Sequence, residues 1–488
     1  IRSSLVGSEM CIRDRFAGHP FVGYPDFVDS GVLETANGVD DLLGRSDRID
    51  PHAELHHRSL PRGVEPSGSA CQNVSVAEHL IRNVVDASGR TVDLLVAAGR
   101  IEAVGPDLSV DASSGADVFD GHGWIVLPAL AEPHAHLDKA LTAHKVPNPK
   151  GDLMGAIDAW IGAAERGVFG LEEMTQRAEA ALAKLVASGV TVVRTHVNVG
   201  ESDPDLMHLR AIHAARRAMA HLVDVQIVAL MHSPLSGTEG AGNRRALASA
   251  LEFGVDLVGG CPHLEADGPG MIDVALSAAA DAGVGVDLHV DETLDADMLT
   301  LRDLALAVID RGFSAPVAAS HCVSLSMQPV GVQREVAARV AEAGVAIVPL
   351  PQTNLFLQGW DHHTAMPRGI TPIDVLRDAG VLVAAGGDNV QDPFNPVGRS
   401  DPLETAAILV MAAHQRPEVA YDMVSNDVRR VLGRPAVDVA AGSPAELILI
   451  RSRSVREAIA DAPADRRVYR QGRLVSVTTS TQWMDRRP

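Results

Sequence analysis

Positive charge is in short supply. The 488-residue chain carries 42 Lys and Arg against 63 Asp and Glu, for a formal net charge of −21, and only Lys139, Lys145, Lys150 and Lys184 are lysines. A field of that sign repels phosphates and anionic lipids, so neither nucleic acid nor a membrane surface is an expected partner. Cysteine is as scarce: Cys11, Cys71, Cys261 and Cys322 show no CxxC spacing, which argues against a disulfide framework and against a thiolate zinc site. No run approaches the roughly 18 uninterrupted apolar residues of a spanning helix, and the opening lacks the basic and apolar regions of a secretory signal. A cytoplasmic protein is expected. What the chain does have is 46% hydrophobic residues, enough for a large core and, at about 100–200 residues per domain, for two or three domains.

Residues 1–76 mix Gly, Pro, Asp and His without sustained periodicity, and the reading there is a poorly structured extension in which His56 and His57 are solvated loop residues. Its opening, SSLVGSEMCIRDR, resembles translated sequencing adaptor, so Met10 or the frame before it is not expected to be a native start, and the extension is given little functional weight. Short apolar runs broken by Gly and Asp turns then read as antiparallel strands, over 77–126 and again over 441–480. These two pieces predict a small composite β-sandwich domain built from both chain ends.

Between them, over 127–440, apolar runs of strand length alternate with Ala-rich helical patterns, the signature of repeated βα units around a parallel sheet. The runs are 124–134, 190–199, 225–231, 255–262, 284–292, 316–322, 345–353 and 381–388. Eight such units predict an α/β fold with a (β/α)8 TIM-type barrel, whose reactive residues sit where strands end and βα loops begin.

Polar residues do end several runs. The first closes with His134 and His136, which point to the same face because strand residues two apart do so. The fifth closes with His289, and Glu292 follows three residues later where the chain is already leaving the strand. The sixth ends at His321 and the eighth at Asp388, next to the first strand once a barrel closes. Each alone reads equally well as a satisfied core polar group; together, at the ends of separate strands, they read as a site. Three neutral imidazoles and a carboxylate suit one divalent metal ion, Zn, Fe(II) or Mn(II), with a position left for water. Such an ion lowers the pKa of bound water from about 15.7 towards ~7 and provides hydroxide at neutral pH. Glu292 is then placed to move protons, and His321 to bind or polarise the group that gains charge. No lysine occurs beyond Lys184, so the fourth strand cannot supply the carboxylated lysine of binuclear barrels of this type.

These residues resemble the cytosine deaminase-like branch of the amidohydrolase superfamily. EPHAHLDKAL, VVRTHVNV, VDLHVDET, AASHC, the LFLQGW…RGIT loop and GGDNVQDPFNPVG match that branch's motifs in its order, from about residue 77 to 475. The resemblance implies that His134, His136, His289 and Asp388 hold the metal, that Glu292, His321 and Asp388 are catalytic, and that Asp388 passes the water's proton to the leaving amine. It is compatible with a homo-oligomer. The activity implied is that of an amidohydrolase or deaminase, a hydrolase acting on carbon–nitrogen bonds of cyclic amidines.

Three positions depart from the cytosine-reading pattern. His232 stands where the branch has a glutamine and offers one contact in place of an adjacent donor and acceptor. Asn389 replaces a second aspartate, and Phe394 a tryptophan. Together with Gln358, which borders the same region as Asn354, they are expected to bind a small nitrogen heterocycle other than cytosine. Alkylamine release from a triazine-type ring and opening of a cyclic amide fit the same site equally. A non-catalytic barrel would be expected to lack a ligand or the glutamate, and none is lacking; the HxE…PCxxC motif of the other zinc deaminases is absent. Lys139 reads as either a hydrogen-bonding neighbour of the site or a structural ion-pair partner, and His362 and His363 as loop residues.

Overall fold

The computed structural model describes residues 79–111 and 115–485; the expected extension, 1–76, lies outside them. Five strands come first among the described residues: β1 His79–Val85, β2 Thr91–Ala97, β3 Arg100–Gly105, β4 Asp117–Asp120 and β5 Ile125–Pro128. Seven more follow: β6 Leu130–Ala135, β7 Val190–Val199, β8 Asp224–Met231, β9 Leu257–Gly259, β10 Gly285–Val290, β11 Val317–His321 and β12 Ala346–Val348. The last three are β13 Leu447–Ile450, β14 Arg466–Arg470 and β15 Arg473–Thr478.

The two chain ends do build one small mixed sheet. Its order is β15-β14-β13-β5-β1-β2-β3, with β4 paired to β1, and its core holds Ile81, Leu94, Ile101, Leu447, Leu449 and Tyr469. Antiparallel pairing of β5 with β13, Ile125 opposite Ile450 and Leu127 opposite Ile448, stitches the N-terminal and C-terminal pieces together. The expected first barrel run, 124–134, is therefore two strands. The backbone N–H of Ala129 bonds to Glu446 and that of Leu130 to Gly189, so the break falls where the chain exchanges one sheet for the other.

β6 to β12 form a parallel sheet in sequence order. Helices between the strands bury narrow stripes against it; Leu171–Ala187, for instance, buries Ala178, Ala181, Leu182 and Leu185, the spacing of one helical face. The expected eighth strand, 381–388, is not a full strand. It makes two isolated parallel bridges, Ile347 with Val383 on the β12 side and Ala135 with Asp388 on the β6 side, and these bring the ends of the sheet into a barrel. Other runs are shorter than expected. The fourth is a strand only over Leu257–Gly259, and Pro262–Leu264 is a short 3-10 turn. The seventh ends at Val348, after which Pro351 opens a helix, Pro351–Leu357; proline has no N–H for a ladder but suits a helix start. Among the described residues no helix is long and apolar enough to cross a membrane.

Candidate metal and active site

At the C-terminal ends of β6 and β10, three buried imidazoles meet. His134 Nε2 lies 3.3 Å from His136 Nε2 and 3.1 Å from His289 Nε2, and the last two are 3.2 Å apart. Asp388 Oδ1 is 3.2 Å from His136 Nε2 and 3.7 Å from His134 Nε2. Burial, reinforced by the neighbouring imidazoles, drives His134 and His289 well below the usual histidine range, and burial with the Lys139 charge brings His136 to about 4. Burial therefore works against an added proton on any of the three rings.

The tautomer of His134 can be traced through its partners. Ser320 donates to Asp287 Oδ1 (3.2 Å) and so accepts from His134 Nδ1 (2.8 Å). Nε2 of His134 then carries a bare lone pair, turned toward two other ring nitrogens and toward a carboxylate oxygen that has no hydrogen-bond donor. The His134 lone pair and the Asp388 oxygen face the same point as the other two ring nitrogens, and nitrogen–oxygen donor sets of this kind suit a divalent transition metal.

Asp388 reaches this position because Gly386 and Gly387 let the backbone pass close to β6. A Cβ at Gly386 would stand 2.3 Å from Glu132 Oε1, and Glu132 accepts from the N–H groups of Gly387 and His134. The buried Glu132 carboxyl is pushed up to about 8 by desolvation. Asp291, His321 and Asp388 all adopt left-handed backbone, with φ of 51°, 69° and 64°, at a cost of order 1–3 kcal/mol each that surrounding structure must sustain. Asp291 shows how: its carboxylate accepts from Thr300 and Leu301 at the start of the next helix.

Glu292 and His321 flank the cluster. His321 Nδ1 is 3.6 Å from Glu292 Oε1 and 2.8 Å from Asn354 Oδ1. Its Nε2 has no hydrogen-bond partner and lies 4.0 Å from Asp388 Oδ2. Desolvation raises the Glu292 carboxyl to about 7, against the lowering pull of His321.

Beyond these groups opens a cavity of about 650 Å³. His232, Asn389 and Phe394 line it; Gln358 does not. Gln358 instead donates to the Glu292 carbonyl (3.1 Å) and so fixes the loop that carries the glutamate. The Asn389 amide is already committed on both sides, donating to Asp392 (2.8 Å) and accepting from Thr353 (3.4 Å). The half-buried His232 ring packs on Gly200, where a Cβ would come within 2.4 Å of its Nδ1. His362 and His363 are exposed.

A model described as "Amidohydrolase family" matches residues 167–478, well over half of the chain. The chain belongs to the amidohydrolase family. As an amidohydrolase it is a hydrolase acting on carbon–nitrogen bonds. It is 33% identical to a pterin deaminase of Rhizobium rhizogenes over 390 residues, 78% of this chain and 87% of that one. Among solved structures it resembles the 5-methylcytosine deaminase of Klebsiella pneumoniae liganded with phosphonocytosine, at a TM-score of 0.75 and 27% identity over 83% of this chain and 100% of the other. It also resembles the N-isopropylammelide isopropylaminohydrolase of Burkholderia multivorans, at a TM-score of 0.71 and 30% identity over 82% and 99% of the two chains.

Several residues around the candidate site were not singled out from the sequence. Arg194 reaches Asp287 (2.7 Å) beneath the histidines, and His196 stacks on His134 with ring centres 3.8 Å apart. Their signal was the strand period: Arg194 and His196, like Asp287 and His289, are two residues apart on one inward face. Lys139, left open between two roles, is buried; it donates to Asn198 Oδ1 (2.9 Å), lies 3.1 Å from His136 Nδ1, and is 4.0 Å from Asp138.

Proposed function

We propose that this amidohydrolase hydrolytically deaminates an amino-substituted nitrogen heterocycle, using one divalent metal ion held by His134, His136, His289 and Asp388. The observation that carries the reading is the convergence of three imidazole Nε2 atoms, that of His134 bare, and Asp388 Oδ1, with Glu292 and the unpartnered Nε2 of His321 on the side that opens to the cavity. The pterin and 5-methylcytosine deaminases among its relatives are named for reactions of this kind.

The bound ion would acidify a water and supply the nucleophile at neutral pH. Glu292, poised near neutrality, donates a proton from its carboxyl to the ring nitrogen beside the attacked carbon and recovers one from the water. His321 donates through Nδ1 to Asn354 Oδ1, which leaves its Nε2 as an acceptor able to hold the attacking water beside Asp388. Asp388 takes the water's remaining proton and returns it to the departing amine. The ring carbon thereby exchanges a C–N bond for C=O, and ammonia leaves. His232, a neutral imidazole pressed down to about 4 by burial and by Lys139, offers the ring one polar contact from the opposite wall.

Release of an alkylamine needs the same proton transfers, and the likeness to N-isopropylammelide isopropylaminohydrolase favours it as the second reading. The deciding experiment is a panel of aminopyrimidines, aminopurines, aminopteridines and alkylaminotriazines, incubated with protein reconstituted separately with zinc, iron(II) and manganese(II). Ammonia release is the expected result. Alkylamine release alone selects the second reading, and no hydrolysis with metal bound rejects both.

A further inference from the structure

Of the three clustered imidazoles, only His134 has its second nitrogen on a hydroxyl. His289 Nδ1 has no hydrogen-bond partner among the described residues, and His136 Nδ1 lies between the His196 carbonyl (3.2 Å) and Lys139 Nζ (3.1 Å). A hydroxyl donates or accepts as its neighbours require. The protonated nitrogen of His134 is therefore chosen by whatever commits the Ser320 proton.

That group is Asp287. Its Oδ1 lies 3.2 Å from Ser320 Oγ, and its Oδ2 accepts from Arg194 Nη1 at 2.7 Å. Both side chains are buried, Asp287 at 0% and Arg194 at 3% exposure. Arg194 is itself pinned: Nε and Nη2 donate to Gln226 Oε1 (3.1 and 3.0 Å), and Nη2 also to the Val431 carbonyl (3.2 Å). The three residues come from β7, β10 and β11, with His289 on β10 in register with Ser320 on β11. The bonds run in one direction. A guanidinium has donors only, and a carboxylate facing it has acceptors only; Ser320 then donates to Asp287 and accepts from His134 Nδ1, which leaves Nε2 bare.

An amide at position 287 would reverse this order. Arg194 can bond only to the amide oxygen, so the amide N–H groups would turn to Ser320. The hydroxyl would accept from them and donate to His134 Nδ1, and the hydrogen would move to Nε2, where the metal is to bind.

We propose that Asp287 is a positioning residue which, oriented by Arg194, sets the tautomer of His134 through Ser320 and so prepares its metal-binding nitrogen. The proposal rests on the reading of His134 as a metal ligand.

Zinc affinity of the full chain, measured by competition with a chromogenic chelator, tests it, with thermal melting of the metal-free protein as the check on folding. Partners of this kind are worth about 10–100-fold in metal affinity, and Asp287→Asn, which imposes the wrong tautomer, should weaken zinc binding at least about tenfold more than Ser320→Ala, which only releases the right one. Adding Ser320→Ala to Asp287→Asn removes the hydroxyl through which the amide acts, so the double variant should bind zinc more tightly than Asp287→Asn alone. A packing defect would instead make the two losses accumulate. If Arg194, buried without its counter-charge, unfolds Asp287→Asn, the neutral pair Arg194→Met with Asp287→Asn replaces it. Freed from the guanidinium, the amide can turn its oxygen to Ser320, and zinc affinity should exceed that of Ser320→Ala. Unchanged affinity in Asp287→Asn, losses that accumulate in the double variant, or a neutral pair that binds no better than Ser320→Ala would overturn the relay while leaving the metal reading intact. An unsubstituted chain that binds no zinc would overturn both.

Discussion

Ser320 Oγ stands 2.8 Å from His134 Nδ1 and 3.2 Å from Asp287 Oδ1, so a single hydroxyl sets which nitrogen of His134 is bare. Partners of this kind orient a metal-binding imidazole, and losing one typically costs 10–100-fold in affinity. Ser320→Ala should therefore weaken zinc binding by roughly that factor, read by competition with a chromogenic chelator, while the metal-free protein melts at nearly its usual temperature. Unchanged affinity would remove Ser320 from the account.

Glu292→Gln keeps the shape of the side chain and removes its acid. With general acid–base catalysis contributing about 10²–10⁴-fold, kcat should fall by at least two orders of magnitude in that range while metal content stays at the unsubstituted level. A variant that retains most of its activity would assign the proton transfers elsewhere.

Metal removal tests the role proposed for the cluster. Prolonged dialysis against a chelator should abolish hydrolysis, and zinc, iron(II) or manganese(II) added back singly should restore it to different extents. Full activity in protein shown by elemental analysis to be metal-free would reject a metal role for His134, His136, His289 and Asp388.

His232 gives a pH signature independent of the metal cluster. Burial holds its folded value near 4, below 6.5 for the free side chain, with Lys139 and His208 adding to the depression and Asp138 and Asp203 opposing it. Between those values the unfolded chain binds the proton and the folded chain does not, so stability falls as pH drops from 6.5 toward 4, by at most about 3 kcal/mol. In denaturant titrations at pH 7 and pH 4.5, His232→Gln should lose less stability on acidification than the parent; an identical loss would count against a buried neutral imidazole.

How far the site could be read from the chain depends on what each residue ends. His134, His136, His289 and His321 close apolar runs, and that abrupt change of residue type is visible in one dimension. Asp388 was legible for the same reason, although its run makes only two bridges: the glycines before it suit a close approach to Glu132 and leave few side chains to suggest an irregular path. The helix Leu153–Glu165 was not distinguished, because its buried Ala156, Trp160 and Ala163 follow the same spacing as a barrel helix. Only tertiary structure shows that it lies across the mouth. Gln358 was expected at the cavity from its place in the loop, but a side-chain amide can equally satisfy a nearby carbonyl, and here it holds that of Glu292.

The two isolated bridges that complete the barrel have a mechanical consequence. Between β7 and β8 eight residue pairs face one another, whereas the circle closes through one bridge on either side of residues 383–388. That closure is a clasp, and the candidate ligands lie across it, with His134 and His136 on one jaw and Asp388 on the other. An ion bound there would be a rivet through both jaws. Because binding to the folded form alone adds to its stability, loading and closure become a single equilibrium, and loss of the ion should first loosen the strip around Asp388. Susceptibility of that strip to proteolysis would then report the protein's metal status, separately from whether any substrate is turned over.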